Sequence, residues 1–293
     1  MCGFMVMRCV LKHHVCLCVL STAVLAGLAL ITAQTKVYAQ SKNCNGIANP
    51  GASRPGSDSD TGRIECDGGG MKDLSGKRTI DMSTESGSGP AVKVHNGAYT
   101  IISDTLIITD KGQSNINPAI QVEREGTLIL GGHVDIQNVY KGIEVSGGES
   151  SVTVTRGVIG VREGEVVFEV TDGGKITLNE GVTVKGGGRG STGMEVVLIN
   201  NGGDVVLGGT NFSNVKTGIK IMGTGKATTV RGGGATVFNL VRDGTGIMMQ
   251  RTGRGATVID MTFQGSGGGN MGTGAVMGGG WGVGVEYGEY FTG

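Results

Sequence analysis

The chain has 293 residues, of which 58 are glycine, four are proline and 4% are aromatic, and its 25 basic residues balance 25 acidic ones. Collagen is excluded because the glycines follow no strict period of three and proline is scarce. A disordered glycine-rich chain is the alternative to a folded one, but disorder does not explain the regular β-branched runs along the chain.

The first 39 residues have the pattern of a Sec signal peptide. A basic region from Arg8 to His14 precedes an apolar run from Val15 to Ile31, and Val37-Tyr38-Ala39 provides the small residues of a cleavage site. We expect export with cleavage after Ala39, and Ala33 is the second choice. An uncleaved membrane anchor is the alternative, although seventeen apolar residues are short for a span.

Residues 40–88 are rich in Pro, Ser, Asp and Gly and have no visible strand period. Four of the six cysteines lie in the leader, so an exported chain keeps only Cys44 and Cys66. Two cysteines in an exported protein most often form a disulfide, and we expect one here. We interpret the segment as a cap on the N-terminal edge of a repeat array. A metal site is the weaker alternative because no histidine accompanies the pair.

A short phrase then recurs about every 25 residues through 89–263. It places a small residue before alternating apolar and polar positions, as in Pro90-Ala91-Val92-Lys93-Val94. From Ala91 to Gly246 the steps are 28, 23, 25, 26, 25 and 28 residues, the drift expected of variable loops between fixed strands. One or two further β-branched runs follow each phrase, so each unit offers two or three strands and no helical pattern.

A unit of this size cannot bury its apolar face alone and must stack on its neighbours. We therefore expect an all-β fold, a right-handed parallel β-helix (solenoid) of about seven coils with a period near 25 residues and a pectate-lyase-like architecture. The predicted inward ladder comprises Val92, Ile120, Ile143, Phe168, Met194, Ile219 and Ile247. The predicted outward ladder comprises Lys93, Gln121, Glu144, Glu169, Glu195 and Lys220.

Charge is unevenly distributed along the chain. Residues 40–174 hold 12 basic and 18 acidic residues, whereas 175–254 hold 10 basic and 4 acidic. A stacked solenoid would line basic turn residues along one flank, where they could hold a sulfated glycan or another anionic cell-surface polymer. The candidate stripe comprises Lys185, Arg189, Lys216, Lys220, Lys226, Arg231, Arg242, Arg251 and Arg254. Solvated turn residues without a ligand are the alternative. The export signal and the lack of aromatic platforms argue against nucleic acid.

Some parallel β-helices are polysaccharide lyases or hydrolases, which need clustered acidic calcium ligands or paired carboxylates. The outward acidic residues here are mostly scattered singly, and the lone His95 and His133 are interpreted as turn residues. We therefore expect no catalytic, cofactor or metal site. A carbohydrate-active enzyme stays open as the alternative because of two possible carboxylate pairs, Glu123 with Glu125 and Glu144 with Glu169.

The long leader, the cysteine pair that follows it and coils such as 141–145 and 216–221 resemble the passenger domain of a type V autotransporter. The style is closest to the Bartonella-type passengers, including the angiogenic-factor group, and the resemblance covers roughly residues 1–263. It implies a non-enzymatic, surface-exposed or released virulence factor that binds host-cell surface molecules as an adhesin or receptor ligand. It assigns no functional residue.

A complete member of that family ends in a translocator β-barrel, and no part of this sequence resembles one. Residues 264–293 are glycine-rich and leave the period from Met277 on, so we predict a C-terminal tail. We expect a truncated passenger, a separately encoded piece or the product of a disrupted reading frame, with a remnant without function as a further alternative. The expected location is the cell surface, the outer membrane or the medium, or the periplasm if the chain is truncated.

Overall fold

The chain divides into two units, Met1–Ala39 and Gln40–Gly293. In the second unit, the computed structural model describes residues 44–45, 62–83, 89–162, 165–186, 193–223, 226–233, 236–250, 255–265 and 273–278. The predicted signal peptide lies outside the described residues, as do Arg189, Arg251 and Arg254 of the candidate stripe. Within the described ranges no helix has the length and hydropathy needed to cross a bilayer.

The described residues contain 22 strands, and all except β1 fall into three series, here called faces A, B and C. Face A consists of β2 (Ile64–Asp67), β5 (Val92–His95), β8 (Pro118–Glu123), β10 (Lys141–Ser146), β12 (Val166–Thr171), β15 (Met194–Asn200), the later parts of β17 (Asn211–Met222) and β19 (Val237–Gln250), and β22 (Thr273–Gly278). Face B consists of β3 (Met71–Leu74), β6 (Tyr99–Ile102), the first parts of β9 (Thr127–Val139) and β11 (Ser151–Val161), β13 (Lys175–Leu178), β16 (Gly203–Leu207), β18 (Thr228–Arg231) and β20 (Ala256–Ile259). Face C consists of β4 (Arg78–Asp81), β7 (Leu106–Thr109), the later parts of β9 and β11, β14 (Val182–Gly186), the first parts of β17 and β19, and β21 (Thr262–Gly265). The short β1 (Cys44–Asn45) pairs antiparallel with β2.

Each strand pairs in parallel with the equivalent strand one coil along. On face A the partners run Ile64, Val92, Ile120, Ile143, Phe168, Val197, Ile219 and Ile247. These steps give about seven turns with a period of about 27 residues. The prediction of an all-β parallel solenoid is confirmed, whereas its right-handedness stays a prediction.

The alternating sequence determines which side chains fill the core. In β10, Ile143 and Val145 are fully buried between the partly exposed Lys141, Glu144 and Ser146. Aliphatic residues repeat this pattern on all three faces and form one continuous core. Burial of this apolar surface at about 25 cal/mol per Å² is the main term that stabilises the stack.

The predicted place of Met194 in the inward ladder is wrong, although its side chain is fully buried. Phe168 pairs with Val197, and Met194 pairs instead with Val215 at a register irregularity. Two consecutive buried residues, Val196 and Val197, interrupt the alternation in β15. The same irregularity moves Glu195 out of the outward ladder, where Leu198 takes its place.

The stack begins earlier than the predicted coils, within the segment interpreted as a cap. Strands β2, β3 and β4 pair in register with β5, β6 and β7. Their alternation is hard to detect because Lys72 and Arg78 are buried at positions that face the core. The predicted disulfide joins Cys44 to Cys66, with their Cα atoms 4.1 Å apart, and so attaches β1 to this first coil.

The solenoid also continues into the segment predicted to be a tail. Strand β22 pairs in parallel with β19, and its Ala275 is the partner of Ile247. At least one strand beyond residue 264 therefore keeps the register of face A.

Candidate ligand-binding face

The outward surface of face A carries a row of paired charged and polar side chains. Lys93 lies 3.1 Å from Glu123, and the Gln121 amide donates to Glu144 over 3.0 Å. Lys141 contacts the stacked carboxylates of Glu144 and Glu169, which are register partners one coil apart. The predicted stacking of Glu144 on Glu169 is therefore confirmed, but both carboxylates are occupied by one ammonium group.

Burial and contacts shift the pKa of three groups in or near this row. Burial alone would lower the pKa of Lys141, but its hydrogen bonds to Glu144 and Glu169, aided by Coulomb attraction, raise it. Burial raises the pKa of Glu195 despite the opposing attraction of Lys220. Burial also raises the pKa of Glu165, against the pull of Arg162 and Lys141. Most charged groups on face A are thus paired with one another, so an external ligand would have to displace these internal partners.

The two histidines differ from the sequence interpretation. His95 is the last residue of β5, and its Nε2 atom lies 3.1 Å from Glu65 Oε1. It is buried rather than exposed in a turn, because Glu65 and Asp67 of the preceding coil cover it. His133 is exposed and lies within β9, where face B passes into face C. Both histidines belong to strands, so the interpretation of them as turn residues is wrong.

The described members of the candidate stripe do not share one flank. Lys220 points outward from face A, Arg231 from face B and Lys185 from face C. Lys216 and Arg242 lie where face C passes into face A. Parallel register aligns residues at equivalent positions only, and these cations occupy different positions in their coils.

Three of these cations are held by contacts within the chain. Lys220 forms a 3.3 Å ion pair with Glu195. The Lys216 ammonium donates to the backbone carbonyl of Asp243 over 3.0 Å. Lys226 donates to the carbonyl of Asp172 over 2.7 Å, across 54 residues of sequence. These contacts stabilise turns and strands of the solenoid. Lys220 is neutralised by Glu195, whereas Lys216 and Lys226 each give one of three ammonium donors to a backbone carbonyl.

Face B carries a shallow groove of a different character. Its volume is about 260 Å³, and it is lined by Lys175, Asp204, Val205, Val206, Thr229 and Arg231. Lys175, Asp204 and Thr229 are register partners on three successive coils, and Arg231 pairs with Val206. Within the described residues, the side chains of Lys175 and Arg231 have no hydrogen-bond or ion-pair partner, and both residues are exposed.

Lys175 and Asp204 were missed by the sequence reasoning, although both stand at the start of a second β-branched run. The alternation in Lys175-Ile176-Thr177-Leu178 and in Asp204-Val205-Val206-Leu207 predicts that Lys175 and Asp204 point outward. Stacking these runs in register would have brought the two side chains together. The groove can therefore offer two cations, one carboxylate and one hydroxyl to a polar ligand.

Within the described part of the chain, no group of three or more His, Cys, Asp or Glu residues is placed to hold a metal ion. No protein-family model, curated protein or solved structure matches the chain.

Proposed function

We propose that the chain is an exported, non-enzymatic passenger-type protein that binds anionic molecules of the host-cell surface as an adhesin or receptor ligand. The proposal joins the leader pattern and repeat texture of the sequence to the charged groove on face B. Such a role requires a rigid scaffold and an accessible site, and it needs no reacting group.

The observation that carries the proposal is that two exposed cations, Lys175 and Arg231, line the same groove on face B. In the candidate stripe, by comparison, Lys220 is paired with Glu195, and Lys216 and Lys226 each donate to a backbone carbonyl. Lys175 and Arg231 line the groove without such partners among the described residues. An anionic ligand would meet these two side chains without first breaking an internal ion pair, so little of its binding energy would be lost.

The test is saturable binding of the labelled full chain to cultured host cells. Replacing both Lys175 and Arg231 with Gln should weaken binding about tenfold or more, because each charge-assisted hydrogen bond contributes about 1.5–3 kcal/mol. Binding of the wild-type chain should also fall as salt rises.

The matched control is Lys185→Gln, which removes an exposed cation from face C and should leave cell binding unchanged. Absence of saturable binding by the wild-type chain would contradict the proposed function itself. If a folded Lys175→Gln/Arg231→Gln variant binds like wild type, the groove is not the binding site.

A second candidate function is a carbohydrate-active enzyme, favoured by the stacked Glu144 and Glu169 with Lys141 between them. Paired carboxylates are the groups that glycoside hydrolysis uses. The test is release of reducing or unsaturated ends from a panel of acidic polysaccharides. Release that disappears in Glu144→Gln and in Glu169→Gln would favour the enzyme, and no release from any polysaccharide would exclude it for that panel.

A further inference from the structure

The outward side of face B presents a ladder of side chains that continues the groove toward the N-terminal coils. Register pairing aligns one residue from each of the eight strands of face B. In order these are Met71, Tyr99, Thr127, Ser151, Lys175, Asp204, Thr229 and Thr257. The ladder thus begins with two exposed apolar side chains, Met71 and Tyr99, continues through hydroxyl groups to the charged groove and ends at Thr257.

The side chains of this ladder form few contacts within the chain. Tyr99 is 36% exposed, one of few large apolar side chains in the described residues that reach solvent to this extent. Among these eight side chains, the described contacts comprise one weak hydrogen bond, in which Ser151 Oγ lies 3.5 Å from Thr127 Oγ1. Face A, by contrast, forms ion pairs along most of its length. The donors and acceptors of face B are therefore available to a partner.

We propose that face B binds an acidic polysaccharide whose chain runs along the solenoid axis, from Tyr99 at one end to Arg231 at the other. The inference rests on the proposed function and adds the ligand class, the residues and the direction of binding. Lys175 and Arg231 would bind carboxylate or sulfate groups, and the ring of Tyr99 would stack on the apolar face of a sugar.

The mixture of groups selects a glycan over other polyanions. Asp204 lies beside Lys175 in the groove and would repel a uniformly charged polymer. A sugar hydroxyl can donate to this carboxylate while a neighbouring acidic group contacts Lys175 or Arg231. Nucleic acid binding without sequence preference needs several aromatic platforms, and this ladder has one.

The geometry also sets a length requirement. Five steps separate Tyr99 from Thr229, which at about 4.8 Å per strand is roughly 24 Å. The strand spacing is close to the advance per sugar of an extended polysaccharide, so equivalent sugars could meet equivalent rungs. A disaccharide can occupy the groove alone, whereas an oligosaccharide of five or six sugars reaches Tyr99.

The experiment measures the affinity of the full chain for acidic oligosaccharides of increasing length by calorimetry. One series consists of heparin fragments and the other of oligogalacturonates, so the two arms separate sulfate from carboxylate recognition. Affinity should rise with length up to about six sugars and then level off. Tyr99→Ala should reduce affinity about fivefold for the long fragments and leave disaccharide binding unchanged, because only the long fragments reach the ring.

Two controls separate binding from folding. Tyr99→Phe keeps the stacking surface and should bind like wild type, and thermal unfolding should show that Tyr99→Ala is folded at the assay temperature. Lys175→Gln/Arg231→Gln should lose at least about tenfold for every length, whereas Lys185→Gln should lose nothing.

Equal binding of polyphosphate, affinity independent of length, or equal losses in the groove variant and Lys185→Gln would each overturn the inference. If the wild-type chain binds host cells but neither oligosaccharide series, the inference fails and the proposed function stands. If it binds no host cell, the proposed function fails whatever the calorimetry gives.

Discussion

At the scale of single residues, glycine is required where neighbouring coils approach most closely. A Cβ atom on Gly132 would lie 2.0 Å from the backbone oxygen of Asp104, and one on Gly157 would lie 2.0 Å from that of Val134. Backbone atoms cannot rotate away as a flexible side chain can. The high glycine content therefore reflects close backbone contacts between coils, in addition to turns.

Gly132→Ala tests this requirement. The added methyl group has to displace the backbone of the preceding coil, so we expect a loss of at least about 2 kcal/mol in the free energy of unfolding. Gly70→Ala is the matched control, since no heavy atom lies within 4 Å of its Cβ position, and it should change stability by no more than about 0.5 kcal/mol. Urea unfolding of both variants measures the difference, and equal effects would contradict the close-contact explanation.

The partly buried Glu195 makes stability depend on pH. Because burial raises its pKa in the folded chain, the folded state keeps this proton to higher pH than the unfolded state, whose pKa is about 4.3. The contribution of Glu195 to stability is therefore most favourable below that value and falls as pH rises through the window up to the raised pKa.

Glu195→Gln should remove this dependence. Across that window, the free energy of unfolding of the wild type should decline relative to that of the variant as pH rises. Lys220→Gln, which removes the attraction that opposes the shift, should make the decline steeper. Urea unfolding at several pH values measures both curves. Parallel curves for wild type and Glu195→Gln would show that the carboxyl titrates equally in both states.

At the scale of the strands, identical positions in successive coils form side-chain stacks. The rings of Phe212 and Phe238 are stacked with centroids 4.5 Å apart, and those of Phe238 and Phe263 with centroids 4.8 Å apart. Phe238 is fully buried between its neighbours, whereas Phe263 is only partly buried. The middle ring contacts two others, so its removal should leave the larger cavity.

Phe238→Ala should therefore destabilise the chain by about 3–5 kcal/mol, the usual range for a buried phenylalanine. Phe263→Ala should lose clearly less, because one face of that ring has no aromatic neighbour among the described residues and part of its surface is already in water. Chemical unfolding monitored by circular dichroism measures both. A loss for Phe263→Ala that equals or exceeds that for Phe238→Ala would contradict the stacking argument.

At the scale of the whole molecule, the described coils contact mainly the coil before and the coil after them. Stability in such a stack is close to a sum of nearest-neighbour terms, so the ends open more easily than the centre. Within the described residues, β10 has parallel partners on both sides, whereas β20 and β21 pair on one side only. Opening should thus begin at the end coils.

Native-state hydrogen exchange tests this gradient. Backbone amides of β10, β11 and β12 should be the most protected, and those of β20 and β21 should exchange at least about tenfold faster, because their coils have fewer neighbours. In Gly132→Ala, protection should fall near β9 before it falls in β15. Uniform protection along the chain would indicate one cooperative unit instead of a nearest-neighbour stack.

Local sequence carried the information on strands and period. The alternation around Val92, Ile120 and Ile143 was sufficient to predict a parallel solenoid, because strands with an apolar inner face must stack on their neighbours. The disulfide followed from the small number of cysteines left outside the leader. The first coil was missed because Lys72 and Arg78 occupy core positions, where the sequence pattern shows polar residues.

The sequence by itself therefore determined that this chain forms strands, how far apart they recur and which side of most strands is buried, since alternation and propensity are local properties. Only the tertiary structure decided which side chains from different coils meet. The register placed Val197 instead of Met194 on Phe168, separated Lys220 from Arg231, and brought Lys175 beside Asp204. A shift of one or two residues in a loop leaves the local pattern intact but changes every contact between coils.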